Sequence, residues 1–210
     1  MAPAHVLPPN LGVFSRLQLV TAVIGAIGLA LSPDTFAARE QHAIDAQRST
    51  ITIHVFKSGL FRAFADNHLI QAPVAKGSID ESTEPHVDLV VEAQRLQVLD
   101  PNLSPKDRER VQERMLGVDV LDATRFPLIR FHSTAVEQLE SDRWLVHGAL
   151  DLHGQTHAVA VKVTRENGRY RGWTTLRQTD FAITPVSVAG GTVKVKDEIS
   201  IEFNIVAADR

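Results

Sequence analysis

The sequence predicts an all-β, antiparallel fold for most of the chain, and two observations support this prediction. Near the carboxyl terminus, apolar residues occupy every second position and alternate with polar ones, a period of two that is typical of a half-buried strand. These apolar residues are Ile199, Ile201, Phe203 and Ile205. Between residues 128 and 177, strand-like runs are separated by short turn signals. Such a meander protects its edges by closing into a barrel or a sandwich.

The amino terminus has the pattern of a secretory signal peptide. Residues 17–31 form an apolar run of 15 residues behind Arg16, and the apolar region of a signal peptide is typically about 7–15 residues long. A small-residue cleavage site fits best after Ala37. We therefore expect residues 1–37 to be a signal peptide, residues 38–210 to form the barrel domain, and the protein to be periplasmic. An uncleaved anchor fits less well, because a spanning helix needs about 20 apolar residues.

Composition excludes several classes of function. The chain has no cysteine, which excludes disulfides, thiolate metal sites and thiol nucleophiles. Lysine and arginine number 22 against 25 aspartates and glutamates, for a net charge of −3. The sequence contains no basic block of five or more residues, so nucleic acid is not an expected partner. Its 210 residues suffice for one domain with a single core.

Two other stretches alternate in the same way, and three dipeptides predict the turns between strands. The apolar positions are Ile51, Ile53 and Val55 in the first stretch, and Val159, Val161 and Val163, after His157, in the second. The predicted turns are Ser141-Asp142, Gly154-Gln155 and Asn167-Gly168. Asn-Gly in particular supplies the positive φ angles of a tight hairpin turn. The residues from 128 to 177 are therefore predicted to form three consecutive hairpins.

One helix is predicted after Ser104. Serine is a favourable N-cap, Pro105 suits the first turn because its missing N–H would be unpaired there, and Asp107 lies near the positive end of the helix dipole. Apolar residues follow at helical spacing until Gly117 ends the helix; they are Val111, Met115 and Leu116. We interpret it as a lid or packing helix, with a basic surface for anionic headgroups as the alternative. A shorter helix is predicted across Ser58 to Asp66.

Three blocks in the second half of the chain carry a resemblance to a known family. They are Asp119, Asp122 and Arg125-Phe126-Pro127 leading to Phe131-His132-Ser133-Thr134; Gly148-Ala149-Leu150-Asp151-Leu152-His153-Gly154-Gln155-Thr156; and Asp180-Phe181-Ala182-Ile183. Their order and spacing resemble the YceI-like family of periplasmic polyisoprenoid-binding proteins, over residues 42 to 207. The resemblance implies an eight-stranded, antiparallel, lipocalin-like barrel with one or two short helices and an elongated apolar channel for an isoprenoid chain. Ala182 stands where the family often has glycine.

The resemblance turns the apolar strand positions into candidate ligand-binding residues. We expect ten of them to line the channel: Ile53, Val55, Ile129, Phe131, Val159, Val161, Ile199, Ile201, Phe203 and Ile205. His54 and His68 are candidates for a polar mouth that hydrogen-bonds the headgroup, the alternative being that they satisfy loop carbonyls. The alternation alone is equally compatible with a filled core.

The histidines and serines do not form a recognisable catalytic or metal-binding motif. His153 and His157 are four residues apart, but Gly154 and the predicted hairpin remove the helical geometry that gives this spacing its meaning. A metal site needs at least three well-placed ligands, so we expect no metal, no other cofactor and no catalytic residues. Ser58 and Ser187 lack the surroundings of a nucleophile elbow.

The sequence therefore predicts a non-catalytic protein that binds a long isoprenoid or other long-chain lipid for transport, storage or protection in the periplasm. Transient contact with a membrane or a membrane protein fits this function, and the oligomeric state is left open. One alternative is a metal-dependent or histidine-based stress-related enzyme. The other is a structural or partner-binding barrel with a filled core.

We predict that the exported protein begins at Ala38, because the apolar run ends in small residues just before it. Intact mass of protein recovered from its native envelope measures this directly. Retention of Arg16 and the run to Leu31 in that protein would contradict both the cleavage and the periplasmic placement.

Overall fold

The computed structural model describes residues 41–58, 67–188 and 193–208. This part of the chain is mainly β-structure, with one α-helix, α1 (Pro105–Leu116), and two short 3₁₀ helices, Ala93–Arg95 and Gln178–Phe181. The strands are β1 (Gln41–Ala43), β2 (Thr50–Ser58), β3 (His68–Gln71), β4 (Val74–Asp80), β5 (His86–Glu92), β6 (Gln97–Val98), β7 (Leu128–Glu140), β8 (Arg143–Leu152), β9 (Gln155–Glu166), β10 (Arg169–Arg177), β11 (Ser187–Val188) and β12 (Val193–Val206).

Two predictions fall wholly or largely outside the described residues. The predicted signal peptide, residues 1–37, lies outside them, and so do residues 59–66 of the second predicted helix. Ser58, where that helix was expected to begin, is instead the last residue of β2. None of the helices in the described ranges combines the length and the apolar character needed to cross a bilayer.

All strand pairs are antiparallel and belong to one sheet, which confirms the predicted fold class. The order along the sheet is β1-β4-β5-β7-β8-β9-β10-β12-β2-β3-β6, with β11 pairing β12. The segment β7-β8-β9-β10 forms the three consecutive hairpins predicted from the sequence. Strand β12 returns to pair both β10 and β2, so the carboxyl-terminal strand joins the meander to the amino-terminal half of the domain.

Two connections bring distant strands of this order together, so the sheet curls into a barrel. Only Ala72 and Pro73 separate β3, which pairs β2, from β4, which pairs β5. A second connection is made after β1: Ile44 N–H donates to Gly77 in β4 at 2.9 Å, and Asp45 N–H donates to Val206 in β12 at 2.8 Å. The amino-terminal segment thus bridges β4 and β12.

The structure contains more strands than the eight that were predicted. Eight strands have seven or more residues, while β1, β3, β6 and β11 have two to four. The break between β3 and β4 has a physical cause, because Pro73 has no N–H to donate to a sheet and the register shifts between Val74 and Lys76. With every segment counted, the sheet has twelve strands in the described residues. The predicted number of eight was wrong because it did not include the short strands.

The tight turns follow the residues that tolerate positive φ. Asn167 and Gly168 connect β9 to β10 with φ of 51° and 72°, as predicted for Asn-Gly. The β8–β9 turn is displaced by one residue from the predicted Gly154-Gln155: it consists of His153 and Gly154, with φ of 52° and 75°. Gln155 is already the first residue of β9.

The predicted helix α1 is confirmed, including its ends. The Ser104 hydroxyl accepts a hydrogen bond from Asp107 N–H at 3.2 Å and donates one to the Asp107 carboxylate at 2.7 Å. Gly117 N–H donates to the Glu113 and Arg114 carbonyls at the other end. Met115 is 6% exposed and belongs to the hydrophobic core, so α1 is packed on the barrel through this residue.

We predict that Ser104→Ala lowers the free energy of unfolding by about 1 kcal/mol, the usual cost of losing a serine N-cap. Urea unfolding measures the change. Ser104→Thr is the matched control, because threonine retains the hydroxyl and should keep most of the stability. An alanine variant as stable as the wild type would show that this cap does not stabilise α1.

Candidate functional site: the cavity inside the barrel

A cavity of about 560 Å³ occupies the interior of the barrel. All ten positions expected to line a channel do line it: Ile53, Val55, Ile129, Phe131, Val159, Val161, Ile199, Ile201, Phe203 and Ile205. Eight of the ten keep partial solvent accessibility even though they point inward, and the other two, Val161 and Ile205, are 9% and 6% exposed. Partial accessibility on the inner face is the expected property of walls around an open space. That these side chains contact a ligand remains a prediction.

The cavity is elongated along the strands. On β9, the lining side chains run from Val159 through Val161 and Val163 to Arg165. At about 3.3 Å per residue in a strand, these six steps correspond to about 20 Å. The shape therefore suits a slender, extended molecule better than a compact one.

One end of the cavity, which we call the helix end, is lined mainly by buried apolar side chains. Met115 from α1 and Leu121 from the following loop line the cavity there, together with Phe181 and Ile183. Their exposures are 6%, 9%, 1% and 4%, respectively. This end therefore belongs to the continuous hydrophobic core of the domain.

Two glycines on the inner face keep space open in the barrel. A Cβ on Gly148 would lie 2.4 Å from the Phe131 ring, and a Cβ on Gly172 would lie 2.6 Å from the Phe203 ring. Because neither glycine has a side chain, each aromatic ring packs directly against the barrel wall. A side chain at either position would displace the ring, since real Cβ contacts are not this short.

The opposite end carries a set of polar lining residues that we call the hairpin mouth. It consists of Glu81, Ser82, Gln138, Ser141 and Arg165. Glu81, Gln138 and Ser141 are exposed as well as lining the cavity. Three of the five mouth residues thus meet both the cavity and the solvent, so this end connects the cavity to water.

Arg165 holds the hairpin mouth together through three contacts. Its Nη1 donates to both Glu81 carboxylate oxygens, at 3.2 and 3.1 Å, and its Nε donates to Asp142 at 3.2 Å. The guanidinium also lies over the Trp144 ring, 5.9 Å from the centroid. It therefore ties β9 to the β4–β5 loop and to the β7–β8 turn.

Sequence reasoning missed the hairpin mouth, although one signal for it was present. The period of two that places Val159, Val161 and Val163 on the inner face of β9 continues to Arg165. A charged residue on the inner face near a strand end indicates where that face reaches water. Its partners were not predictable in this way, because Glu81 lies 84 residues away in the chain.

A second ion pair lies where β10 ends. Arg177, which also lines the cavity, donates from Nε to Asp197 at 3.1 Å. The Thr179 backbone N–H and hydroxyl donate to the same carboxylate at 2.9 and 2.8 Å. Hydrogen bonds from Thr179, followed by the interaction with Arg177, lower the pKa of Asp197, and the bond to Asp197 raises the pKa of Arg177. Both groups are therefore charged at neutral pH, and Arg177 is held by its partner.

Neither His54 nor His68, the residues predicted for a polar mouth, is among the described residues that line the cavity. His54 lies between the inward-facing Ile53 and Val55 on β2 and therefore faces outward, with Nε2 3.7 Å from Glu202. His68 Nδ1 lies 2.6 Å from the carboxylate of Asp100, which is 2% exposed and also accepts from Leu69 N–H. His68 thus has a structural partner in a loop. The alternative considered from the sequence was a loop carbonyl, whereas the partner is the carboxylate of Asp100.

The histidines proposed for the metal alternative are also engaged in packing. His153 Nδ1 lies 3.0 Å from the Phe181 carbonyl oxygen. The centroid of the His153 ring lies 4.7 Å from the centroid of the Phe126 ring. The His157 ring packs edge-on against Phe181 at 5.1 Å. In the described ranges, no three histidine, aspartate or glutamate side chains are grouped as metal ligands would be.

Two solved structures have a similar fold. BcnA of Burkholderia cenocepacia is 17% identical with a TM-score of 0.56, and the match covers 79% of this chain and 99% of that one. A polyisoprenoid-binding domain from Saccharophagus degradans, described as implicated in plant cell wall breakdown, is 14% identical with a TM-score of 0.54. That match covers 80% of this chain and 98% of the domain. At sequence identities this low, the similarity between these proteins and this chain is a similarity of fold.

Sequence comparison gives the family. A UPF0312 protein of Pseudomonas putida is 28% identical over 200 residues, which cover 90% of this chain and 95% of that protein. The YceI-like domain family matches residues 42–207, from within β1 to just past the end of β12. The resemblance noted from the sequence blocks is therefore confirmed, and the chain belongs to the family of YceI-like domain proteins.

Proposed function

We propose that the protein binds a long isoprenoid-type lipid non-covalently inside the barrel and carries, stores or protects it in the periplasm. The observation that carries this proposal is the cavity of about 560 Å³, whose walls are mainly Ile, Val, Leu and Phe side chains from the inner faces of the strands. The lipid tail would extend along the strands, from the helix end to the hairpin mouth.

The size of the cavity favours a binding site over a packing defect. Protein interiors are close-packed and contain few voids larger than a water molecule. Pockets for small molecules typically measure about 300–1,000 Å³, and this cavity of about 560 Å³ lies within that range. A barrel with a filled core, one alternative from the sequence, does not account for such a space.

The chemistry of the walls is sufficient for binding without catalysis. Burial of one CH₂ group contributes about 0.8 kcal/mol, so about 20 buried carbons would supply about 16 kcal/mol. That gain is comparable to or larger than the cost of association, about 4–15 kcal/mol. Affinity would therefore come from buried area, and the polar groups at the mouth would set orientation.

Two further observations support the ligand class and the location. The Saccharophagus degradans structure with the same fold is named a polyisoprenoid-binding domain, which favours a lipid of that class here. The apolar run of residues 17–31 has the length of the apolar region of a signal peptide, which favours export. Mass spectrometry of organic extracts from gently purified protein would identify the native ligand.

We predict that Val161→Trp reduces lipid retention while the barrel stays folded. Val161 is 9% exposed and lines the cavity midway along β9, so an indole there would occupy space that the lipid needs. Retention of a long-chain polyprenol, measured together with thermal unfolding on the same preparation, tests this. The stability cost of a larger side chain should stay within about 1–3 kcal/mol.

Lys162→Trp is the matched control, because Lys162 is the next residue on β9 and is exposed on the outer face. It should retain the polyprenol as the wild type does. If Val161→Trp retained as much polyprenol as the wild type, the proposal that the lipid lies in the cavity would be contradicted. A large loss of stability in that variant, with no lipid recovered from the wild type, would indicate a filled core instead.

A further inference from the structure

We propose that the hairpin mouth binds an uncharged, hydrogen-bonding headgroup, such as an alcohol, and selects against a lipid that ends in phosphate. This inference rests on the proposed function and adds the class of headgroup. It follows from the location of the mouth, its hydrogen-bonding groups and its charge.

The location comes from the difference between the two ends of the cavity. Met115, Leu121 and Phe181 line the helix end and are each at most 9% exposed, and the exposed Arg177 at that end is held by Asp197. At the hairpin mouth, Glu81, Gln138 and Ser141 line the cavity and are exposed. A lipid with an apolar tail and a polar end gains most when the tail points to the more apolar helix end and the polar group stays near water.

The groups at the mouth are suited to hydrogen bonds with a neutral partner. Ser82 and Ser141 contribute hydroxyls, which both donate and accept, and Gln138 contributes an amide. The Gln138 amide nitrogen makes a long contact of 3.4 Å with the Ser141 carbonyl. A ligand hydroxyl could replace this contact without leaving a charge unpaired.

The charges at the mouth oppose an anionic headgroup. The Arg165 guanidinium is already bound by the carboxylates of Glu81 and Asp142, and Arg143 in the same hairpin is paired with Glu140 at 3.3 Å. Three carboxylates thus face two guanidinium groups, which leaves one net negative charge in this cluster. A phosphate would have to displace Glu81 or Asp142 from Arg165 and then remain close to it, and such like-charge proximity is unfavourable.

The test compares a polyprenol with the polyprenyl monophosphate of the same chain length in competition for the purified protein. We expect the wild type to prefer the alcohol. Glu81→Gln removes one negative charge and leaves Arg165 partly uncompensated, so the ratio of phosphate to alcohol bound should rise at least about threefold at low salt. The rise should shrink at high salt, because exposed charges are screened.

Glu84→Gln is the matched control, since Glu84 is in the same loop and is exposed, and it should leave the ratio unchanged. Asp142→Asn is a second test variant that acts on the same guanidinium, and thermal unfolding shows whether each variant is folded. Preference of the wild type for the phosphate, or equal ratios in Glu81→Gln, Asp142→Asn and Glu84→Gln, would overturn the inference. If the wild type bound neither lipid, the proposed function would fail and this inference with it. Binding of both lipids by the wild type, with the alcohol preferred and the ratio changed in Glu81→Gln, would support both the proposed function and this inference.

Discussion

Closure of the sheet is the constraint on which the rest of the structure depends. In a closed barrel every strand presents alternate side chains to one shared interior, so the size of the inward residues decides whether that interior is filled. Backbone hydrogen bonds from Ile44 and Asp45 join β4 to β12, and the short step at Pro73 joins β3 to β4. With the ring closed, the inward glycines Gly148 and Gly172 let aromatic rings pack flat on the wall, and a cavity remains.

The two ends of this interior differ because the connections at each end differ. The β7–β8 turn, the β9–β10 turn and the β4–β5 loop surround the hairpin mouth, and residues at or near these connections contribute its polar groups. At the helix end, the long connection from β5 to β7 carries α1, and Met115 from that helix joins the buried core. An asymmetric cavity of this kind gives a bound lipid a preferred direction, which a symmetric barrel would not.

Local patterns predicted most of the fold and part of the walls of the cavity. The period of two placed the ten apolar positions correctly, and the same rule, applied to His54, would have placed it outside, since both of its neighbours point inward. Partners distant in the chain were not predictable: the carboxylate that holds His68 belongs to Asp100, 32 residues away. Ala182 has a φ of 57°, which gives a physical reason for a glycine preference at that position.

Arg165 shows how far such patterns extend toward function. Its position on the inner face of β9 follows from the alternation that begins at Val159. The local sequence therefore predicts that a charged side chain lies beside the cavity. Its effect on a ligand depends instead on Glu81 and Asp142, which only the closed sheet brings to it. Alone, the guanidinium would attract an anionic headgroup; between two carboxylates, it becomes a structural tie with no net positive charge. The chemistry of the mouth is therefore a property of the topology, and the residue type alone would have indicated the opposite ligand.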